Sequence, residues 1–440
     1  MTSLSRITLC AVGLAALLSA SAAAADKTSI DFYFPVPVQG ALAREMTRLV
    51  KEFNDASPDV EVVAAYTGSY DDTRLKTQAA VEAGKPPAVT LMSANFVQEF
   101  VISGEIEAID DLLVENGGDP KTFLDDFWPA LRGNATANGK IYAIPFQNST
   151  PLVYINVDHF KEAGLDPTKP PATWAEFVDA AKKLTKRNGD SVERYGFTMP
   201  GNYDYFGWLM ETLCMSNGGN YYNQNWGGEV YYDTPSMLGA AQFVEDLVFK
   251  HKVMTQGVVE GPALSTNFLA GKVSMMLLST GSLSFVCENM KQPWGVAFVP
   301  RNVRNAVPIG GASLVMFKGL SDEQKAAGWK FAKWLSSTET LGGWSRFTGY
   351  FAPRKSSYDT PDMKDFMAKN PEAKVAIEQL PYAKPWFATY QTVAVRKALE
   401  DEIQTVLNGK KKAPEAVKDA QKNADALMKP YVDQTALKVP

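Results

Sequence analysis

The chain has 440 residues, 45% of them hydrophobic and 21% charged, a composition that belongs to globular proteins and excludes disordered, collagen-like and fibrous ones. Its 44 basic and 49 acidic side chains leave a formal charge of −5, which argues against a nucleic-acid partner, since such binders present a basic surface. The length exceeds what one hydrophobic core organises, so two domains are expected.

Residues 1–25 read as a secretory leader. Arg6 supplies the positive start, 9–18 is an apolar run too short to span a bilayer, and Ala23, Ala24 and Ala25 provide small residues for cleavage after Ala25. Cys10 lies inside the apolar run and is not placed to carry a lipid anchor. No later stretch reaches the ~18 apolar residues of a membrane helix, so an exported, soluble chain is expected. Cys214 and Cys287 stay behind after cleavage. An oxidising compartment permits a bridge between them, and two free thiols are the alternative that spacing leaves open.

The alternating, aromatic-rich run 28–34 predicts a strand, followed by a helix over 41–54 with Ala43, Met46, Leu49, Val50 and Phe53 on one face. A strand at 60–65, a helix at 71–83 and a buried strand at 88–92 come next. Strands alternating with helices predict βαβ units and a mostly parallel sheet. Ligands sit beyond the carboxyl ends of such strands, which puts 66–70 and 93–95 on ligand-side loops. A second run opens at 152–155, with helices at 157–163 and 174–185 separated by Pro167, Pro170 and Pro171. Thr173 and Glu176 have capping-box spacing at the start of the latter. The Gly-, Asn- and Tyr-rich stretch 217–225 predicts a loop. Residues 392–407 form an amphipathic pattern with Val395, Leu399, Ile403 and Val406 as the apolar stripe, and a closing helix is expected from Ala413.

The chemistry of most enzymes is missing. His159 and His251 are the two histidines, and neither has metal-ligand spacing with another histidine or a cysteine. No nucleophile elbow or phosphate loop occurs, and the Gly218-Gly219 and Gly227-Gly228 pairs lack the strand-to-helix setting of a dinucleotide site. No cofactor or metal is expected. An acid pair of glycosidase type is not excluded by sequence, because carboxylates are plentiful.

Three landmarks carry a family resemblance: 154–167 with the Pro170-Pro171-Ala172-Thr173-Trp174 segment just beyond, 268–276, and 330–335. They resemble the large solute-binding proteins that serve ABC importers of sugars and polyols. The patterns at 66–70, 145–151, 279–282, 310–314 and 348–350 are similar to those of the periplasmic glycerol-3-phosphate-binding group within that family. The resemblance spans the whole chain after the leader. It implies an α/β, two-lobe periplasmic-binding-protein fold with a hinge and an interlobe ligand cleft, with 26–147 and 297–350 in one lobe and 148–296 and 351–440 in the other. It further implies a periplasmic, non-enzymatic monomer that hands a small-molecule ligand to the membrane subunits of an ABC importer.

Carried over residue by residue, the resemblance implies ligand contacts at Tyr70, Ser149, Ser279, Gly311, Tyr350 and Arg396. Such a set suits a phosphate: hydroxyls donate singly, a glycine N–H approaches closely, and a guanidinium offers a bidentate fork. Core packing of the tyrosines, and turns or caps for the serines, are the structural alternatives. Arg396 has an argument of its own, since a cation in the first turns of a helix is disfavoured by the dipole and an anion would offset that. An i,i+4 pair with Glu400 is its alternative. The family's glycerol-phosphate binders carry a hydroxyl-binding glutamate after the third strand, where this chain has Ser93, Ala94 and Asn95; Ser93 and Asn95 are expected to make neutral hydrogen bonds there. The expected ligand is glycerol-3-phosphate, a glycerophosphodiester or a related anionic polyol. Tyr203, Tyr205, Trp208, Tyr221 and Trp226 would instead suit a neutral sugar or oligosaccharide by stacking. A secreted glycan-active enzyme and a surface adhesion module are the readings of another class.

Overall fold

The computed structural model describes residues 27–36, 41–203, 205–223 and 229–435; the expected leader and Trp226 lie outside the described residues. In chain order the strands of the two main sheets are β1 (Thr28–Pro35), β2 (Val60–Gly68), β3 (Val89–Ser93), β4 (Ile144–Ser149), β5 (Pro151–Asn156), β6 (Lys186–Asn188), β7 (Ser191–Thr198), β8 (Val273–Ser279), β9 (Trp294–Ala297) and β10 (Gly310–Met316). One five-stranded sheet has the order β2-β1-β3-β10-β4 and the other β9-β5-β8-β7-β6.

Only part of each sheet is parallel. β1 pairs in parallel with β2 and β3, whereas β10 runs antiparallel to both β3 and β4. In the second sheet β7 and β8 are parallel, and β5 is antiparallel to β8 and β9. The expectation of a mostly parallel sheet is therefore corrected. Its cause is the connection between lobes: β4 leaves the first lobe and β10 returns to it, so neighbours that carry the crossing run in opposite directions.

Each sheet has its own core. In the first, Leu42, Met46, Leu49, Val50 and Phe53 of the helix Leu42–Ala56 pack with Phe32, Leu91, Phe146, Leu314 and Phe331. Their four- and three-residue spacing places them on one helical face, which is why the segment docks on a sheet. In the second, Phe177, Leu209, Met276, Leu399 and Ile403 meet around Tyr154. The helix Trp174–Leu184 starts at the predicted capping box, where Thr173 Oγ1 accepts from Glu176 N–H (3.3 Å) and the Glu176 carboxylate accepts from Thr173 N–H (3.1 Å). The helices Thr392–Leu407 and Ala413–Thr435 close the second lobe. Residues 297–309, expected with the first lobe, pack into the second core through Ala297, Val299, Val307 and Ile309. β9 belongs to the second sheet, so the chain must cross that lobe's surface before it returns along β10.

The first crossing is a single residue, Thr150, between β4 and β5. Its N–H donates to Thr280 Oγ1 (3.3 Å), its carbonyl accepts from Thr280 N–H (2.9 Å), and its hydroxyl accepts from Gln379 Nε2 (3.3 Å). Gln379 also donates to the Pro151 carbonyl (2.7 Å) and accepts from Val299 N–H (2.8 Å). A later crossing follows at Tyr350 and Phe351, where Phe351 N–H donates to the Asn148 carbonyl (2.9 Å).

Cys214 and Cys287 are both free, the former buried in the second core and the latter exposed. Burial lifts the Cys214 thiol to about 12, so it is neither accessible nor nucleophilic. A thiol reagent is expected to titrate one equivalent in the folded chain lacking residues 1–25, and two after unfolding. No reaction in either state would show that the bridge forms. Among the described residues no helix is long and apolar enough to cross a membrane.

Candidate functional site

The gap between the sheets is built first from the ends of the first lobe's strands. Ser69 and Asp72 cap the helix Tyr70–Glu82 reciprocally, with Asp72 N–H donating to Ser69 Oγ (3.1 Å) and Ser69 N–H to Asp72 Oδ2 (2.9 Å). That cap sets the first turn so that Tyr70 is buried beneath the cleft, where its hydroxyl accepts from Gln147 Nε2 (3.3 Å). At the end of β3, the Ser93 hydroxyl donates to Asn95 Oδ1 (2.7 Å) and lies 3.5 Å from the Gly311 carbonyl oxygen. Gly311 has φ of +94°, and a Cβ there would lie 1.8 Å from the Gln147 carbonyl oxygen, so only glycine permits this approach of β10 to β4. Ser149 ends β4, buried and opposite Gly310 in the ladder.

The second lobe supplies aromatic walls. Ser279 ends β8; its hydroxyl accepts from Gly281 N–H (3.0 Å) and its carbonyl from the Tyr154 hydroxyl (2.6 Å). The Tyr350 ring, from the first lobe's core, lies against Gly281, where a Cβ would be 2.5 Å from it. Burial pushes the Tyr350 hydroxyl well above its ordinary value, and the hydroxyls of Tyr70, Tyr205 and Tyr154 lie close enough to add to that. Tyr205 packs against both cores. The Trp208 indole covers Gly310, with a Cβ at that glycine meeting it at 2.8 Å, and Trp386 stands behind it at 6.2 Å.

One buried charge sits between the lobes. Arg396, on the helix Thr392–Leu407, is 1% exposed. Its guanidinium donates to Asp71 of the first lobe (3.2 and 3.4 Å) and to Glu400 of its own helix (3.4 Å). Glu400 is fully buried and also accepts from Gly207 N–H (2.8 Å). Burial pushes the Glu400 carboxyl up, and the attraction of Arg396 only partly opposes this. The pair with Glu400, the alternative to ligand contact, is thus present, and Asp71 adds a second acid that the sequence did not bring forward. A second interlobe bond runs from the Thr392 hydroxyl to the Asn95 carbonyl (3.4 Å).

The structure joins most of the expected residues into one chain of contacts. Arg396 reaches Tyr70's neighbour Asp71, Tyr70 meets Tyr350, Tyr350 covers the turn after Ser279, and Ser93, Asn95 and Gly311 form the opposite edge. Among the described residues Ser149 meets this network through the backbone ladder with Gly310. Of the aromatic candidates, Tyr221 packs among Tyr232 and Phe387 in the lobe core, while Tyr203 lies at the rim and donates to Asp401. Gln147 and Asn148 were missed, although they stand inside the 145–151 pattern. Their signal was polarity on a strand otherwise buried throughout. Among the described residues Asn95 Nδ2, Gln147 Oε1, Asn148 Oδ1 and Trp208 Nε1 are buried with no hydrogen-bond partner. Buried polar groups are normally satisfied, so these four atoms are candidates for hydrogen bonds to a polar ligand.

No group of histidine, cysteine or acidic side chains suited to a metal occurs among the described residues. The family model for bacterial extracellular solute-binding proteins matches residues 48–375. The chain is 28% identical to the sn-glycerol-3-phosphate-binding periplasmic protein UgpB of Escherichia coli K12, over 97% of both chains. UgpB of Pectobacterium atrosepticum is also 28% identical, over 96% of this chain and 95% of that one. Among solved structures, UgpB of Mycobacterium tuberculosis in complex with glycerophosphocholine superposes with a TM-score of 0.81 at 25% identity, covering 92% of this chain and all of that one. Maltose-bound MalE3 of T. maritima superposes at 0.78 with 24% identity, covering 90% and 99%, a likeness of fold.

Proposed function

Because the chain belongs to the bacterial extracellular solute-binding proteins, it is the periplasmic component that delivers a small molecule to the membrane subunits of an ABC importer and not an enzyme, and we propose that it captures an anionic polyol, glycerol-3-phosphate or a glycerophosphodiester, as a monomer. One observation carries this reading: a buried guanidinium at the seam of the two lobes, held by one acid from each. Arg396 does not depend on a ligand for its counter-charge, since Asp71 and Glu400 reach it. Asp71 is the part-exposed member of that set, at 24% of its side chain, and an arriving phosphate displaces it toward water. Charge-assisted bonds to phosphate then replace bonds to a carboxylate, and the tyrosine hydroxyls, Ser93, Asn95, Ser149, Ser279 and the Gly311 N–H take the remaining oxygens. The similarity to glycerol-3-phosphate-binding relatives over nearly the whole chain supports the same class.

A second reading rests on the four orphaned neutral atoms, which with the Trp208 face suit the hydroxyls and apolar face of an uncharged sugar. Thermal melts separate the two. Glycerol-3-phosphate or its diester at about one hundred times its Kd is expected to add about 2.7 kcal/mol to stability, with maltose inert. A shift with maltose and none with the phosphates would establish the sugar reading instead.

A further inference from the structure

The two acids that hold Arg396 are not equivalent. Glu400 lies one turn along the arginine's own helix, is sealed from water and is tied again by Gly207 N–H, so it moves with the guanidinium. Asp71 belongs to the helix Tyr70–Glu82 of the first lobe, accepts through both oxygens from the same nitrogen, Nη2, at 3.2 and 3.4 Å, and keeps 24% of its side chain exposed. One turn before Arg396, Thr392 Oγ1 lies 3.4 Å from the Asn95 carbonyl oxygen, a weaker tie between the same two lobes. Hinge opening separates Asp71 from Arg396 and leaves Glu400 in place. Nothing local calls for an acid at 71. The helix start is already served by the reciprocal cap of Ser69 and Asp72, and among the described residues the Asp71 side chain has no hydrogen-bond partner but Arg396.

A carboxylate carried by the chain thus meets the donors that a solute anion would need. Both use the same planar fork, so the solute has to displace Asp71. Its measured affinity is then the intrinsic one reduced by the fraction of molecules in which Asp71 has let go. Tethering makes Asp71 a standing rival, with an effective concentration of about a millimolar or more. A bare anion offers only charge against that rival, whereas a phosphorylated polyol adds hydroxyl contacts elsewhere in the cleft and prevails.

We propose that Asp71 is a resident competitor at the anion site, a latch that joins the lobes through Arg396 and lowers the affinity for anionic solutes. The inference rests on the anionic-polyol reading of the cleft and adds its regulation. Calorimetric titration of glycerol-3-phosphate into the full chain without residues 1–25 tests it, on wild type, Asp71→Asn and Asp71→Ser. Asparagine keeps the shape without the charge, serine removes the reach, and neither touches the Ser69–Asp72 cap, so both fold. Each variant is expected to bind about tenfold more tightly than wild type, between the near-absent effect of exposed pairs and the hundredfold or more of sealed ones. Loss of any nearby negative charge also favours an anion, so Asp401→Asn is the control: this exposed acid accepts from Tyr203 and does not hold Arg396. Its effect is expected to stay below about twofold, because charges in water are screened. Unchanged or weaker binding in the Asp71 variants, or an equal gain in Asp401→Asn, would overturn the competitor and leave the cleft reading intact. Binding of glycerol-3-phosphate by none of these proteins would overturn the cleft reading, and the competitor with it.

Discussion

Replacing Arg396 by alanine is expected to weaken capture of glycerol-3-phosphate by about 2–5 kcal/mol, roughly thirty-fold to several thousand-fold, because a desolvated anion loses its counter-charge. The same change reaches the fold. Arg396 is 1% exposed, its aliphatic stem packs on Gly207, and Glu400 beneath it is sealed from water. Removing one partner of a buried pair leaves the other uncompensated, and a stability loss of about 3 kcal/mol follows. The double variant Arg396→Ala/Glu400→Gln separates the two effects: stability returns, since the orphaned charge is gone, and binding stays lost. Arg396→Lys keeps the charge without the planar fork and falls between wild type and alanine. Titration calorimetry with denaturant melts reads both quantities. Equal affinity in wild type and the double variant would end the anionic-ligand reading.

The second large effect lies at Glu211, on the helix Phe206–Ser216. Its side chain is fully buried, one oxygen accepts from Phe387 N–H (3.3 Å), and the other has no partner among the described residues. Burial holds its carboxyl well above the ordinary carboxylate range, with that single backbone donor opposing weakly. A folded-state value above the unfolded one means that the native state binds the proton more tightly. The stability this contributes is complete below the unfolded value near 4.5 and is lost as pH rises. Glu211→Gln keeps the shape and never ionises. The variant is expected to match wild type near pH 4 and to exceed it increasingly above pH 5, by about 1.4 kcal/mol per pH unit until the folded carboxyl ionises. Melts of both proteins across pH 4–8 measure that difference directly, and a gap independent of pH would refute the buried neutral acid. Glu211 lies one turn beyond Trp208 and accepts from the backbone next to Trp386, so it ties the segments that carry the two indoles.

Local pattern carried the elements well wherever a periodic face met a sheet. The predicted helix at 392–407 coincides with the observed one, and its four apolar positions are all buried. The capping box at Thr173 formed as its spacing required. Strand direction was not legible, because β3 and β10 pair across more than two hundred residues and nothing local to either records which way the other runs. Tyr70, Gly311 and Tyr350, drawn from short patterns far apart in the chain, come together at the seam of the lobes. Asp71 escaped for a physical reason: as a first-turn acid it is already explained by the helix dipole, and its partner lies 325 residues away. Gln147 and Asn148 escaped because a polar residue on a strand reads as solvent-facing unless both faces are known to be covered.

Thr150, held by Thr280 and Gln379, bears on how affinity is distributed in this molecule. A crossing tied through its amide, its carbonyl and its hydroxyl couples the arrangement of the lobes to Thr280 and Gln379. Apparent affinity is then the intrinsic affinity scaled by the fraction of molecules in the competent arrangement. Evolution can therefore retune how much solute is collected by altering Gln379 or its neighbours, without touching a residue that meets the solute. Selectivity and avidity are separately adjustable in such a design, the first written in the cleft and the second in the joint.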